Sequence, residues 1–291
     1  MISIVIISKD EPSLDDTLTA VTAQAQCLAE PSEIVVVDAS DGRLEHIRLR
    51  HQERVRWLQF KRPRGIRISI PHQRNAGVRA AHGDIIVFTD AGCDPAPEWL
   101  TRIVTPVLKE ENVAAGLTLA TPGSTKLYDR WARRNMEARY LTACATINLA
   151  FRREVFETIG GFDEGFEYGS DVDFSWRLTD AGYRIRGVPD AIIRHDWGTS
   201  RRQLRRSYFY GKARVRLYQK HRTRLRSVLR NDPTAVVYPV FLLGLPLTLI
   251  FPLYPALLLI PAWRNRSDGP IQVVVDHLAY GFGILVQLIS R

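Results

Sequence analysis

Four short runs rich in β-branched residues, at 2–7, 33–38, 55–60 and 84–89, alternate with segments of helical periodicity at 13–28 and 71–81, and another opens near Pro97. Apolar runs of this length, bounded by polar turn residues, are the pattern of strands buried on both faces. Alternation of such strands with helices requires right-handed crossovers and yields a layered α/β sheet. Residues 1–200 are therefore expected to form an α/β domain around a mostly parallel sheet flanked by helices. Residues 113–120 and 143–151 read as further strands. The turn from Gly160 to Glu164 leads into a helix that opens at Asp171 and ends at Gly182. No internal repeat is present.

What ends the strands points to a site. The first run meets Ser8-Lys9-Asp10-Glu11, the second Asp38-Ala39-Ser40-Asp41, and the fourth Asp90-Ala91-Gly92-Cys93-Asp94. Open α/β sheets bind ligands beyond the carboxyl ends of their strands. Three acidic ends at that edge suit a metal ion or the hydroxyls of a ribose and the edge of a base. Each alone is also ordinary turn and N-cap chemistry. No Gly-x-Gly-x-x-Gly or phosphate-loop motif follows the first strand, which argues against dinucleotide binding and ATP hydrolysis. Asp171 and Asp173 lie two apart on a helix, so they point apart: one faces a site while the other caps or pairs.

The net charge of +9 suggests nucleic acid until it is localised. Twelve Lys or Arg and no Asp or Glu fall within 201–230; the rest of the chain has 28 basic and 31 acidic residues. Directly after this segment, 235–263 is a 29-residue run without a charge, and 271–290 is a second apolar run whose only formal charge is Asp276. Basic residues abutting such runs indicate an anionic, cytoplasmic membrane surface rather than nucleic acid, for which no recognition module is present. Within the basic segment Leu204, Tyr208, Val215, Tyr218, Leu225 and Leu229 make a narrow helical stripe, expected to lie on the leaflet. Prolines at 239, 246, 252, 255 and 261 predict kinks or a re-entrant hairpin in the first apolar run. A hairpin would leave Arg264 and Arg266 on the far side, against the positive-inside tendency; a pair of in-plane segments would not. Asp276 and His277 are costly in hydrocarbon. The division expected is a catalytic domain at 1–200, a basic juxtamembrane region at 201–234 and two hydrophobic membrane segments at 235–291. The amino terminus reaches charge at Lys9 and has no signal-peptide pattern, which predicts a cytoplasmic catalytic domain at the inner membrane. Cys27, Cys93 and Cys144 form neither a disulfide framework nor a zinc site.

Taken in order, residues 3–8 with Lys9-Asp10, 34–38 with Ser40-Asp41-Gly42, Arg74-Asn75-Ala76-Gly77 with Ala81-His82-Gly83-Asp84, 89–93, 148–176, and Ile193-Arg194-His195 with Gly198 resemble the family 2 glycosyltransferases, which have a GT-A fold and act on nucleotide sugars. The resemblance implies that Asp38 reads the nucleotide base, that Asp90 opens the Asp-x-Asp motif contacting metal and ribose, that Asp171 is the catalytic base, and that His195 approaches the metal and diphosphate. The donor-binding set expected is Ser8, Asp10, Asp38, Arg74, Asn75, Asp90 and Asn148, with Mn²⁺ or Mg²⁺ held by Asp90 and His195. Hard cations take oxygen ligands, and Mn²⁺ also accepts imidazole. Further candidates are Asp94, Asp173, Trp197 (for acceptor stacking), Gln203 and Arg206. Gln203 and Arg206 are similar to the Gln-x-x-Arg-Trp motif of processive synthases, with Ser207 in place of its Trp.

Two positions depart from the family pattern. Gly92 stands at the third position of Asp-x-Asp, with Asp94 a possible substitute, and Ser170 replaces the acid before Asp171. The expected activity is inverting, non-processive transfer from a nucleotide-sugar donor to a hydroxyl of a lipid-linked or saccharide acceptor. The alternatives are a polyprenyl-phosphate glycosyltransferase and a catalytically silent nucleotide-sugar- or lipid-binding membrane protein.

Overall fold

In the computed structural model, which describes residues 1–124, 129–266 and 269–290, the chain divides into two compact units. Unit 1 comprises Met1–Thr121 and Trp131–Asp196, and unit 2 comprises Pro122–Arg130 and Trp197–Arg291.

Unit 1 is built on nine strands: β1 (Ile2–Ser8), β2 (Ser32–Asp38), β3 (Val55–Gln59), β4 (Ile85–Asp90), β5 (Cys93–Pro95), β6 (Val113–Ala120), β7 (Tyr140–Leu141), β8 (Leu149–Arg152) and β9 (Ile185–His195). They form one sheet in the order β3-β2-β1-β4-β8-β6-β9-β5, with β7 also on β9. β3, β2, β1 and β4 are parallel, while β8 runs antiparallel between β4 and β6. The α-helices, in chain order, are α1 (Leu14–Ala25), α2 (Glu45–His51), α3 (Ile70–Ala80), α4 (Trp99–Lys109), α5 (Asp129–Asn135), α6 (Arg153–Ile159) and α7 (Ser170–Asp180).

The period-2 geometry of a strand divides its residues between two cores. On β1, Ile2, Ile4 and Ile6 join a core with Leu14, Leu18, Trp99 and Ile103, whereas Val5 and Ile7 join a second with Val78, Phe88, Phe151, Phe162 and Phe174. Gly77 is required by this packing: a Cβ there would lie 2.4 Å from Val5 Cγ1, so α3 sits directly on the sheet. The strand expected at 143–151 is shorter than its apolar pattern. Thr146–Asn148 is a 3₁₀ turn, because buried Asn148 turns its amide inward to bond the strands behind it.

Unit 2 contains α8 (Ser200–Lys220), α9 (Val228–Asn231), α10 (Thr234–Leu243), α11 (Leu259–Arg264) and α12 (Pro270–Ile289). Thr199 caps α8, its hydroxyl accepting from the Arg202 amide. The proline-rich run breaks into α10, two 3₁₀ turns at Leu245–Leu249 and Tyr254–Leu258, and α11. Of the described helices, only α12 is long and apolar enough to cross a membrane. The stripe on α8 is not open to lipid as expected. Val215 and Tyr218 are buried, and the Tyr208 ring packs on Phe282 of α12 at 6.0 Å. Leu225 and Leu229 fall beyond the helix and are exposed.

Candidate active site

Register places the acidic residues together. Ser8 pairs with Asp38 across β1 and β2, and Ile7 pairs with Asp90 across β1 and β4, so Ser8, Asp38 and Asp90 share the carboxyl edge of the parallel sheet. His195 reaches the same edge by another route. It ends β9, opposite Ala120 of β6 and opposite Cys93 of β5, with Cys93 Sγ 3.7 Å from its Nδ1.

This edge holds buried polar atoms that the protein leaves without a hydrogen-bond partner: Ser8 Oγ, Asp38 Oδ2, Arg74 Nε and Asp90 Oδ1. Buried polar groups are otherwise almost always paired, so a cluster of orphans marks a place for a polar ligand. Asp38 Oδ1 accepts from the Ser40 amide at 3.1 Å and from its hydroxyl. Burial nonetheless pushes its carboxyl above the usual range, against those two donors. Asp10, by contrast, is exposed, and the Arg43 guanidinium at 2.6 Å holds it low. Asp10 adopts φ 55°, with its amide donating to Ser40 Oγ, which links the ends of β1 and β2.

α3 supplies the cation. Arg74, almost wholly buried, places Nη2 3.5 Å from Asp90 Oδ1 and its guanidinium 5.6 Å from the centre of the Phe162 ring. Its neighbour Asn75 has a structural task instead. The Asn75 amide donates to Phe162 O and Glu164 Oε1 and accepts from Phe162 N, fastening the 160–164 turn to the helix. Asn148, 1% exposed, is likewise committed: Oδ1 accepts from Trp99 Nε1, and Nδ2 donates to Leu117 O and Ala191 O. These bonds make both asparagines part of the frame that holds the edge.

Helix α7 separates its two acids. Asp173 is 0% exposed and pairs with Arg177 at 2.9 Å, while Arg177 also donates to Ile159 O and Gly161 O. Asp171 stays half-buried in the first turn, where Oδ1 accepts from the Val172 amide and the macrodipole favours its charge.

A divalent cation needs several hard ligands, supplied by the protein and by the bound substrate together. Gly92 offers no side chain, Asp94 is exposed in β5, and among the described residues no three His, Cys, Asp or Glu converge on one point. A Cβ on Gly92, at φ 79°, would lie 3.3 Å from Glu11 Cδ, so Glu11 fills the space an Asp-x-Asp side chain would use. Sequence reasoning did not single out Glu11, Ser40 or Gln73. Gln73 donates from Nε2 to Ser8 O and Val37 O, fixing two strand ends.

The remaining candidates lie in unit 2. The Arg206 guanidinium covers the Trp197 ring at 5.2 Å, donates to Trp197 O at 3.0 Å and bonds Gln203 Oε1, and Gln203 is fully buried.

The family model described as "Glycosyl transferase family 2" matches residues 3–162, more than half the chain. The chain belongs to glycosyl transferase family 2. A second model, "Glycosyl transferase family group 2", matches residues 130–263. Among this member's relatives, Glycosyltransferase AglE of Haloferax volcanii is 28% identical over 162 residues, covering 53% of each chain. Pre-mycofactocin glycosyltransferase of Mycobacterium tuberculosis is 30% identical over 165 residues, 51% of this chain and 34% of its own. The chain thus spans about half the length of the first and a third of the second. Succinoglycan biosynthesis protein ExoA of Rhizobium meliloti is 24% identical over 286 residues, covering 89% of this chain and 86% of its own. Mannosyltransferase PcManGT from Pyrobaculum calidifontis, solved in complex with GDP-Man and Mn²⁺, superposes with a TM-score of 0.70 at 18% identity, over 100% of this chain and 87% of that one. At that identity the likeness is one of fold: the family 2 member has the GT-A architecture.

Proposed function

We propose that this family 2 member transfers a sugar from a nucleotide-sugar donor to a hydroxyl of a lipid-linked or saccharide acceptor, in a single displacement that inverts the anomeric carbon. The observation that carries this reading is the cluster of unpartnered buried polar atoms on Ser8, Asp38, Arg74 and Asp90 at one sheet edge. The carboxylates suit base and ribose donors, and Arg74 is the cation to offset charge on the departing diphosphate. Asp171 is the general base: Val172 occupies Oδ1, and Oδ2 takes the proton of the attacking hydroxyl as the bond from sugar to diphosphate breaks. His195 stands at the same edge to meet the diphosphate. Mn²⁺ accompanies the donor in the PcManGT complex; in this chain Asp90 and His195 are the residues that would hold such an ion, and it would offset charge on the departing diphosphate.

Membrane association belongs to the same proposal. The basic 201–230 segment and the exposed apolar side chains at Leu249, Ile250, Phe251, Leu253 and Trp263 support a place on the anionic face of the inner membrane, with the donor site in the cytoplasm.

The test is a thermal-shift panel of the detergent-solubilised full chain with UDP, GDP, dTDP and CDP, each with and without Mn²⁺. A ligand that binds only the folded state raises Tm. A shift with one nucleotide, followed by sugar transfer from its sugar conjugate, is expected. Absence of a shift with every nucleotide would overturn the reading in favour of the silent binding protein. If transfer occurs but Asp171→Asn leaves it intact, the acceptor is a polyprenyl phosphate, whose oxygen needs no base.

A further inference from the structure

The apolar carboxyl-terminal region has the composition of a membrane hairpin, yet within unit 2 its last helix is tied to a helix rich in arginine. α12 lies alongside α8 from Asp276 to Ile284. A Cβ at Gly211 of α8 would be 2.0 Å from Tyr280 O, and one at Gly283 would be 2.1 Å from Tyr208 O, so the two backbones touch. On its other side α12 meets α10, where a Cβ at Gly281 would lie 2.8 Å from Tyr238 Cβ. α12 is thereby fixed to α8, whose exposed Arg201, Arg202, Arg205, Arg216 and Lys220 are spread from one end of the helix to the other.

Polar groups line this seam. Asp276 is 1% exposed, accepts from Gln272 Nε2 at 3.1 Å, and faces Gln203 and Arg206 of α8. At the middle of α12 the Tyr280 hydroxyl accepts from Arg214 Nε at 2.9 Å, and Arg214 pairs with Asp232 at 3.1 Å. Were α12 to cross the bilayer, that ion pair would sit near mid-depth and the arginines of α8 would be drawn into hydrocarbon, each at a cost of several kcal/mol.

The uncharged run is not built to cross either. Its longest helix, α10, has ten residues, which reach about 15 Å, half of a hydrocarbon core of about 30 Å. The 3₁₀ turns that follow expose Leu249 (89%), Ile250, Phe251, Leu253 and Leu257, and α11 exposes Leu259, Ile260 and Trp263. Arg222, Arg226 and Arg230 precede this surface and Arg264 and Arg266 follow it, all exposed. Apolar side chains bracketed on both sides by cations fit a partner with an apolar interior and an anionic border.

We infer that unit 2 binds a single leaflet of an anionic membrane, its 237–263 segment dipping into the acyl chains and returning to the same face, with α12 held in the plane beside α8 and no segment spanning the bilayer. This rests on the membrane association proposed above and adds its topology. Both cation clusters then stay with the headgroups of one leaflet, which removes the conflict that a hairpin creates at Arg264 and Arg266.

The full chain carrying Cys27→Ser, with Asn265→Cys or Ser290→Cys added, is produced in a bacterial host. Membrane-impermeant maleimide is then applied to intact spheroplasts and to inverted membrane vesicles, with labelling of detergent-solubilised protein as the control. Both positions should label in inverted vesicles and neither in spheroplasts. Labelling of either from the outer face of intact spheroplasts would overturn the single-leaflet topology while leaving membrane association standing. Flotation of the purified chain with phosphatidylglycerol vesicles tests the underlying reading. Failure to float, together with recovery in the soluble fraction, would overturn both.

Discussion

Arg74 of α3, buried, and Asp90 at the end of β4, a quarter exposed, form an ion pair at 3.5 Å, and each retains a buried atom without a hydrogen-bond partner. Neither group is satisfied by the other alone. In the proposed function the pair offers a positive and a negative valence to the donor's diphosphate and ribose. Removing one partner strands the other in a desolvated place. Arg74→Ala is therefore expected to lower stability by about 1–3 kcal/mol and to abolish the nucleotide-dependent Tm shift. Arg74→Lys keeps the charge and should recover fold but not full donor affinity, since a lysine lacks the planar fork. Denaturant melts with and without nucleotide separate the two effects; a lysine variant with unchanged affinity would refute the role.

The two acids of α7 should respond differently. Asp171→Asn is expected to reduce transfer to a hydroxyl acceptor by about 10²–10⁴, the usual contribution of a positioned base, with nucleotide binding unchanged. Asp173→Asn removes the charge of the fully buried acid that pairs with the part-exposed Arg177 and should destabilise the fold, by up to about 3 kcal/mol, with donor affinity per folded molecule preserved. Steady-state kinetics beside urea melts on both variants would check this.

Asp38 sets a pH dependence. Burial raises its carboxyl in the folded state above the ordinary 3.8, so the folded protein holds that proton more tightly than the unfolded chain. The stabilising effect is present below the ordinary value and is lost as pH rises through the folded one, leaving a buried charge at neutral pH. Asp38→Asn should accordingly raise Tm at pH 7, with the difference closing as the pH falls below 4. The same variant should bind nucleotide more weakly. Equal Tm differences across pH would contradict the assignment.

The cysteines provide a check on packing. Cys27 is exposed, whereas burial pushes the Cys93 and Cys144 thiols up to about 12. Iodoacetamide at pH 8 is expected to add one carbamidomethyl group to the native protein, at Cys27, and three after unfolding. Intact-mass spectrometry with peptide mapping reads the result; a second rapid addition at Cys93 in the native state would show that the β5–β9 edge opens.

Gly92→Asp restores the Asp-x-Asp sequence but not its function. The residue sits at φ 79° and its Cβ would meet Glu11 at 3.3 Å, so strain of about 1–3 kcal/mol is expected, together with repulsion between two carboxylates. Lower stability, partly restored by Glu11→Ala in a double-mutant cycle, is the outcome to look for. A stabilised Gly92→Asp variant would remove Glu11 from this account.

The strand ends were legible because β-branched runs and the acids that close them are local signals. β1, β2, β3 and β4 fall within a residue or so of the runs that predicted them, and β6 coincides with its own. The likeness of six ordered segments to family 2 was legible for the same reason. The division of labour among similar residues was not. The bonds of Asn75 and Asn148 to Phe162 and Ala191 span 87 and 43 residues, which no local motif announces. Glu11 has no motif; it matters because Gly92 leaves room above it.

The sequence by itself determined the α/β class, the acidic sheet edge and the concentration of basic charge before an apolar tail, since these follow from periodicity and composition. Tertiary structure alone decided which carboxylates were spent and which were left. Asp173 is consumed by Arg177 and Asp171 is not, and the stripe on α8 is covered by α12 rather than offered to lipid. A buried polar or apolar group is settled only by the partner that replaces its water, and that partner is chosen by strand pairing and helix packing over long separations.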